Sequence, residues 1–425
     1  MALLILFFSG YNMAVPGEGW AVQLYVVHGL FLQEALLVAY LLLFVASGSL
    51  SRLLRTREAL PFAALIALLG VLGIISSSIN PYRWFDLGQA GRLFLHSAQF
   101  LLAVHWCRTR GTTFVLRWYL LGIAVGGVEN LYFTFSNPYL LVGILPALKA
   151  RSGAGGMLAL GIGLGAWLLL IRRNREDTLI AATAALVGIV AGVVSFSKTT
   201  MTIGACGLVA WMFVLAQLLS VRRLRLIGGV ALAGVGAVSV YEAPKIDFEA
   251  AQFTVERIWD LKFAHFTVTE HSAESARYMY NFAVAEILTE HPFVGVGSSG
   301  FYDAIVRTDA YKTGLMDEED PDAKNEGTTN PHNTFLYFAS ANGFPGLIIV
   351  LVLFGTLLEV MRRALSVNGL AGRATWFCMV MAYFLWAVTL PNLFTTAAMY
   401  FPAAVALATT LQRRSELVTT VPATE

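Results

Sequence analysis

Long runs of apolar residues, separated by short polar connections, fill most of the chain up to about residue 411. A helix that crosses a bilayer needs roughly 20 mostly apolar residues, because its backbone polar groups must be paired within the segment. The runs predict about 12 spanning helices and hence an all-α polytopic membrane protein. They lie at 2–14, 22–49, 59–77, 88–106, 115–136, 154–171, 178–196, 200–219, 226–241, 334–360, 374–390 and 393–411.

One long polar segment, between the ninth and tenth runs, divides this pattern into parts. We expect an N-terminal bundle of about nine spans at 1–241, a large helical loop at 242–331 and a C-terminal bundle of about three spans at 332–411. Residues 412–425 form a polar tail. The loop is the one segment long enough to fold outside the bilayer.

The composition excludes a soluble globular class. Hydrophobic residues make up 57% of the chain and charged residues 13%, and the mean hydropathy is +0.67. Such values are typical of a chain whose solvent is the lipid bilayer. The bilayer is therefore an expected partner, and a nucleic acid is not.

Arginine clusters at alternate connections predict the orientation, since short cytoplasmic loops are enriched in Lys and Arg. Both termini and the C-terminal tail are then cytoplasmic, and segment 242–331 is extracytoplasmic. That segment holds 17 of the 27 acidic and 7 of the 29 basic residues, so its charge is opposite to that of the remainder. The clusters are Arg52/Arg55/Arg57, Arg108/Arg110/Arg117, Arg172/Arg173/Arg175, Arg222/Arg223/Arg225, Arg362/Arg363/Arg373 and Arg413/Arg414.

Five basic residues outside the long loop break this rule, because the predicted topology places them toward the outer face: Arg83, Arg92, Lys149, Arg151 and Lys198. An anionic ligand at the membrane surface would explain retained cations there. Snorkelling toward headgroups is an equally good explanation for Arg83 and Arg151. Lys198 lies in a very short connection between two spans, so we expect it to have a functional role.

Two polar residues fall at mid-depth in predicted spans, Glu34 in the second and His96 in the fourth. A lone charge in hydrocarbon is costly, so each needs a partner. They could form a proton relay, but pairing with each other or with neighbouring helices is the favoured interpretation.

Neither thiol nor metal chemistry is expected. Cys107, Cys206 and Cys378 lie in or beside predicted spans, away from the extracytoplasmic loop, so no disulfide is predicted. For the acidic run 317–322, a solvated loop tip is a better interpretation than a cation site. No cofactor is therefore expected.

A motif follows the long loop where it turns into the tenth span. In the sequence NPHNTFLYFASANGFPG, from Asn330 onward, His332 and Asn333 are followed after nine residues by Gly343 and after two more by Gly346. This pattern resembles the signature of the bacterial superfamily of O-antigen ligases and O-antigen polymerases, which are membrane glycosyltransferases. Taken without the resemblance, a histidine at a helix start, as at His332, is more often structural than catalytic, and the two glycines could simply permit close helix packing.

Two upstream elements are similar to the same superfamily. Residues 274–301 contain an arginine, Arg277, on an amphipathic helix, followed by a His-Pro turn and the Gly-rich sequence GVG. Lys198 corresponds to a basic residue at the outer end of a middle span. Related ligases more often carry Arg there, and Lys lacks the bidentate fork of Arg for a phosphate.

The resemblance implies a periplasmic glycosyl transfer from an undecaprenyl-diphosphate-linked glycan to an acceptor hydroxyl, inverting and without metal or covalent intermediate. It implies catalytic roles for His332, Arg277 and Lys198, with both cations stabilising the diphosphate leaving group. Lys149 and Arg151 would extend that anion site. His332 would orient or deprotonate the acceptor hydroxyl, since a neutral imidazole accepts a proton near pH 7. The implied location is the bacterial inner membrane.

The acceptor stays open at this point. Ligation of glycan to lipid A-core is slightly favoured over polymerisation of repeat units. Transfer to a protein hydroxyl is the third possibility. A lipid-linked sugar transporter or flippase is the alternative from another class. Transporters favour internal repeats and charged residues along a mid-membrane path, whereas this sequence shows no duplicated half and carries its main polar cluster at the outer surface.

Overall fold

The computed structural model describes residues 1–11, 13–14, 21–22, 25–27, 30–49, 57–78, 83–136, 152–172, 174–194, 198–219, 273–312, 331, 333–389 and 397–420. Helices account for most of these residues, so the predicted all-α class is confirmed for the main body of the fold. The predicted ninth span and most of the segment 242–331 lie outside the described residues. Their arrangement stays a prediction.

The described residues form fourteen α-helices, and a short 3₁₀ turn at Ser366–Asn368 joins the twelfth to the thirteenth. The helices are α1 (Ala2–Gly10), α2 (Leu32–Ala46), α3 (Leu60–Ser77), α4 (Arg83–Arg110), α5 (Thr112–Ser136), α6 (Ser152–Ile171), α7 (Arg175–Val194), α8 (Lys198–Leu218), α9 (Ala273–Glu290), α10 (Phe301–Ile305), α11 (Asp309–Lys312), α12 (Thr334–Leu365), α13 (Gly369–Thr389) and α14 (Ala397–Thr420).

The N-terminal region differs from the prediction. Helix α1 ends at Gly10 and α2 begins only at Leu32, so the expected spans 2–14 and 22–49 are both too long. Two short antiparallel ladders lie between them: β1 (Met13–Ala14) pairs with β2 (Ala21–Val22), and β3 (Tyr25–Val27) with β4 (Leu30–Phe31). The physical reason is local. Pro and Gly in the connection 15–20 disfavour a helix, and the aromatic and β-branched residues of β3 favour extended backbone.

Most helices pack into one bundle with a continuous apolar core. Helix α5 contacts α1, α4, α6, α7 and α14, and α12 contacts α3, α13 and α14. Large side chains such as Trp106, Tyr119 and Trp167 are fully buried between them. Dispersion contacts between these buried side chains stabilise the packing once the helices have formed.

Glycines bring α1 and α5 into backbone contact. A Cβ on Gly10 would collide with the carbonyl oxygen of Tyr119, and a Cβ on Gly122 with that of Phe7. Small residues at a helix crossing permit such an approach. Beyond the crossing, the hydroxyl of Tyr11 donates to the carboxylate of Glu129, which ties the end of α1 to α5.

Helices α9, α10 and α11 form a second, smaller unit on the first part of α12. Its core contains Tyr280, Val284 and Ile287 of α9 together with Phe301 and Ile305 of α10. The amphipathic pattern of α9 explains this, because its apolar residues recur at helical spacing. The carboxylate of Glu286 accepts hydrogen bonds from the first two N–H groups of α11, at 2.6 and 3.1 Å, and so fixes that helix on α9.

Within the described residues, several helix ends that carry arginine clusters contact the ends of neighbouring helices. Contacts join Arg108 to Glu58 at 3.0 Å, Arg117 to Asp177 at 2.6 Å and Arg413 to the carbonyl oxygen of Ala364 at 3.1 Å. Arginines predicted on one side of the membrane thus meet partners from ends predicted on the same side.

Two helical stretches of the described residues are long and apolar enough to cross a membrane, Leu60–Ser77 and Thr334–Val388. Three apolar helical segments are shorter, at Leu32–Ala46, Leu160–Ile171 and Thr202–Leu218. The count of about 12 spans stays a prediction.

Candidate functional site

The predicted catalytic residues fall at the starts of three helices. Lys198 is the first residue of α8, Arg277 is in the second turn of α9, and His332 immediately precedes Asn333, the residue before α12. For Lys198 and Arg277 the structure describes the backbone alone. His332, Lys149 and Arg151 lie outside the described residues.

Asn333 caps the helix that follows His332. Its side-chain oxygen accepts hydrogen bonds from the N–H groups of Phe335 at 2.9 Å and Leu336 at 3.2 Å, and its own backbone is extended (φ −150°, ψ 123°). Asn is among the favoured residues at this position, because a short side chain can satisfy N–H groups that lack a helical partner. The Asn of the motif therefore defines where α12 begins, at Thr334, two residues after His332.

Gly343 produces a kink in α12. Its dihedral angles, φ 68° and ψ −165°, lie in a region that essentially only glycine adopts. A Cβ at this position would lie 2.5 Å from the carbonyl oxygen of Pro292. Gly346 lies in the turn after the kink, where a Cβ would be 2.7 Å from the carbonyl oxygen of Phe338. Both motif glycines permit backbone approaches that no other residue allows.

The kink leaves two carbonyl groups of α12 without their usual helical donors. The donor for the carbonyl of Ala341 would be residue 345, which is a proline and has no N–H. The donor for Ser340 would be the N–H of Phe344, which donates instead to the carbonyl of Pro292 at 2.8 Å. Buried backbone groups must find partners elsewhere in such a case.

The loop 291–297, which follows α9, supplies those partners. The N–H of Val296 donates to the carbonyl of Ser340 at 2.8 Å, and the N–H of Gly297 donates to that of Ala341 at 3.0 Å. Gly295, with φ 68°, permits this approach, because a Cβ there would collide with the carbonyl of Ser340. We call the loop 291–297 and residues 340–344 together the kink–loop junction.

Helix α3 contacts the same junction through a serine. The hydroxyl of Ser76 donates to the carbonyl of Val294 at 2.5 Å and accepts from the side-chain amide of Asn342 at 3.2 Å. Ser76 and Asn342 are both buried. No sequence signal indicates this contact, because Ser76 is one of three consecutive serines and lies 218 residues from Val294.

The structure thus brings together two of the three elements found in the sequence. Helix α9, with Arg277, and the start of α12, with Asn333, are joined through the kink–loop junction and the small core above it. Helix α8, with Lys198, packs on α6, α7 and α13, and α13 in turn packs on α12. The convergence of His332, Arg277 and Lys198 on one ligand stays a prediction.

One of the five cations predicted at the outer face has a partner within the protein, so the interpretation that it is free to bind an external anion is corrected for this residue. Arg92 of α4 forms an ion pair with Glu34 of α2, with 3.1 Å between Nε and Oε1. The Glu34 side chain is 5% exposed, so the pair compensates a carboxylate that the bundle encloses. Arg83, Lys149, Arg151 and Lys198 have no described side chains.

His96 also has partners in the bundle. Its Nδ1 lies 2.9 Å from the side-chain oxygen of Gln99, and its ring stacks on Tyr400 with 5.0 Å between centroids. The amide of Gln99 donates to the hydroxyl of Ser9 at 3.3 Å. Glu34 and His96 therefore each contact neighbouring helices, as the packing interpretation expects.

Among the described residues, no group of three or more His, Cys, Asp or Glu side chains is placed to hold a metal ion. The acidic run 317–322 lies outside that part of the chain. The metal-free reaction stays a prediction.

A protein-family model described as O-antigen ligase matches residues 194–351. The matched segment starts just before α8 and ends within α12, so it contains the whole kink–loop junction and all three predicted catalytic residues. Lys149 and Arg151 precede it. No curated protein matches the chain. The resemblance drawn from the motifs is confirmed over this segment.

Proposed function

Because residues 194–351 match a protein-family model described as O-antigen ligase, we propose that this protein is a periplasm-facing O-antigen ligase, a membrane glycosyltransferase. It transfers a glycan from an undecaprenyl-diphosphate donor to a hydroxyl of lipid A-core. The protein lies in the bacterial inner membrane with both termini in the cytoplasm.

One observation carries the proposal. The two sequence elements with the strongest family resemblance, residues 274–301 and 330–354, are hydrogen-bonded to each other at the kink–loop junction inside the matched segment. The motif glycine at 343 has a conformation that this junction requires. The motif residues therefore form one hydrogen-bonded structural unit. This supports the proposed chemistry more strongly than the sequence pattern alone.

In the proposed reaction, the acceptor oxygen forms a bond to the anomeric carbon of the donor sugar, with inversion. The bond from that carbon to the diphosphate oxygen breaks, and the diphosphate leaves with the electron pair. Arg277 and Lys198 stabilise the negative charge that develops on the leaving group, in a site with little water. Lys149 and Arg151 extend this cationic surface.

His332 takes the proton of the acceptor hydroxyl. A neutral imidazole is the side chain best suited to accept a proton near pH 7. Asn333 supports this role, because its cap defines the start of α12 two residues after the histidine. The lysine at 198 binds phosphate as a point charge, so Lys198→Arg should reduce transfer less than Lys198→Ala.

The direct test supplies purified protein with labelled undecaprenyl-diphosphate glycan and, in parallel, three acceptors: lipid A-core, the same lipid-linked repeat and a candidate glycoprotein. We expect the label to move to lipid A-core. Extension of the repeat would make the protein a polymerase, and labelling of the glycoprotein would make it a protein oligosaccharyltransferase. Movement of intact donor across proteoliposomes, without transfer, would contradict all three enzymatic functions.

The site is tested in the same assay with His332→Ala and Arg277→Ala. Each variant should accumulate in the membrane and lose most of its transfer, by about 100-fold or more for a group that acts in the transition state. Arg307→Ala is the matched control, since Arg307 is an exposed arginine of the same small unit of α9, α10 and α11, which we call the outer unit. Near-normal transfer by the His332 and Arg277 variants would rule out the proposed site. Transfer that a chelator inhibits in a purified, metal-stripped preparation would rule out the metal-free mechanism.

A further inference from the structure

Ser76 departs from the usual behaviour of a buried serine in a helix. Such hydroxyls commonly donate to a carbonyl three or four residues earlier in their own helix. The next residue, Ser77, does this, with 2.6 Å to the carbonyl oxygen of Ile74. Ser76 instead donates out of α3 to the carbonyl of Val294.

The acceptor side of the same hydroxyl is also used. The amide of Asn342 donates to it at 3.2 Å, so a single oxygen joins α3, the loop 291–297 and the residue immediately before the kink. Both residues are nearly inaccessible, with exposed fractions of 1% for Ser76 and 4% for Asn342. Hydrogen bonds with so little access to water hold their geometry well, because breaking them leaves unsatisfied polar groups.

The loop 291–297 is therefore held from two directions. The backbone of α12 fixes it through the bonds from Val296, Gly297 and Phe344. Ser76 fixes it from the side of α3, which belongs to the main bundle. Without the Ser76 bond, the loop and the kinked part of α12 would still be attached to each other, but their position against α3 would be less well determined.

On the basis of the proposed function, we infer that Ser76 and Asn342 are positioning residues for glycosyl transfer. They set the position of the outer unit, which carries Arg277, and of the start of α12 relative to the main bundle. They do not contact the reacting atoms. Small displacements of catalytic groups lower the rate of the chemical step, so their effect should appear in kcat.

The test compares Ser76→Ala with Ser77→Ala, its neighbour in the same helix turn. We expect Ser76→Ala to lower kcat by about 10-fold with little change in KM for the donor, since misplacement by about 1 Å can cost up to about 100-fold. Ser76→Thr keeps the hydroxyl and should restore most of kcat. Ser77→Ala should leave kcat and KM unchanged.

Asn342→Ala tests the second half of the contact. It should lower kcat in the same direction, and the double variant with Ser76→Ala should lose less than the product of the two single losses, because both act through one oxygen. Ser340→Ala is the control in α12, since the Ser340 hydroxyl bonds to the carbonyl of Tyr337 within its own helix. Independent, multiplicative losses would contradict a shared role.

A readout that needs no substrate separates this inference from the proposed function. Hydrogen exchange, followed by mass spectrometry of the peptide containing residues 291–297, should be faster in Ser76→Ala than in the wild type and unchanged in Ser77→Ala. If exchange and kcat are the same in both alanine variants, the positioning role is overturned. If the wild type transfers no glycan but exchange responds as expected, the proposed function fails and the structural part of the inference stands.

Discussion

Glycines bring backbones together in two regions of this molecule, with different consequences. In the bundle, Gly10 and Gly122 let α1 and α5 cross, and both lie in helical backbone. At the kink–loop junction, Gly295 and Gly343 both have φ 68° and allow a loop to approach a kinked helix. The first contact needs only the small volume of glycine, whereas the second also needs its conformational freedom.

The two regions also differ in how their polar groups are paired. At the crossing in the bundle, the helices bring apolar surfaces together, and the nearby polar contact of Tyr11 with Glu129 uses side chains. At the kink–loop junction, backbone groups released by Gly343 and Pro345 pair with backbone groups of the loop 291–297. A packing defect in the bundle should reduce the amount of folded protein. A defect at the junction should also change the geometry of the folded protein.

Gly343→Ala should have the largest effect. A Cβ there adds strain of about 1–3 kcal/mol for the unfavourable φ and ψ, and its contact with the carbonyl of Pro292 forces the loop 291–297 away from α12. We expect transfer per folded molecule to fall by about 100-fold, together with a lower Tm. The measurement is transfer normalised to the folded fraction seen by size-exclusion chromatography.

Gly355→Ala is the matched control in the same helix. A Cβ at Gly355 would meet nothing within 4 Å, and alanine in a helix interior is favoured over glycine by roughly 0.5–1 kcal/mol. This variant should retain transfer and be at least as stable as the wild type. If Gly343→Ala behaved like Gly355→Ala, the kink–loop junction would have no part in the site.

Gly122→Ala should affect stability alone. Its Cβ would collide with the backbone of Phe7, so α1 and α5 must separate, and overpacking of this kind costs about 1–3 kcal/mol. We expect a lower Tm and less protein in the membrane, with unchanged transfer per folded molecule. A loss of transfer per folded molecule as large as that of Gly343→Ala would abolish the distinction between the two regions.

The sequence predicts local features of both regions but not the contacts between them. The apolar runs identify most helices, because the length and composition of a run are properties of the run itself. A glycine and a proline two residues apart, at 343 and 345, are also a usual signal for a kink within a helical run. Asn333, followed by an apolar helix, has the residue type of a cap.

The bond between Ser76 and Val294 has no comparable signal. It depends on how the whole fold places α3 relative to the outer unit. That placement cannot be derived from a single sequence. The same holds for Arg92, which the charge pattern marked as an unexplained outer cation until Glu34 proved to be its partner. The short ladders before α2 were missed because a hydrophobic run resembles a span whether its backbone is helical or extended.

Glu34→Gln should have the smallest effect, and it tests whether the bundle acts by packing alone. Glutamine keeps an oxygen for Arg92 and nearly the same volume, and Arg92 retains 22% exposure to share its charge with solvent or headgroups. We expect a modest fall in Tm and full transfer per folded molecule, and the same pattern for His96→Ala, which loses its contacts with Gln99 and Tyr400. If both variants insert and fold but transfer nothing, the buried charges of the bundle belong to the chemistry as a proton path. The bundle could then no longer be described as a scaffold for the outer unit.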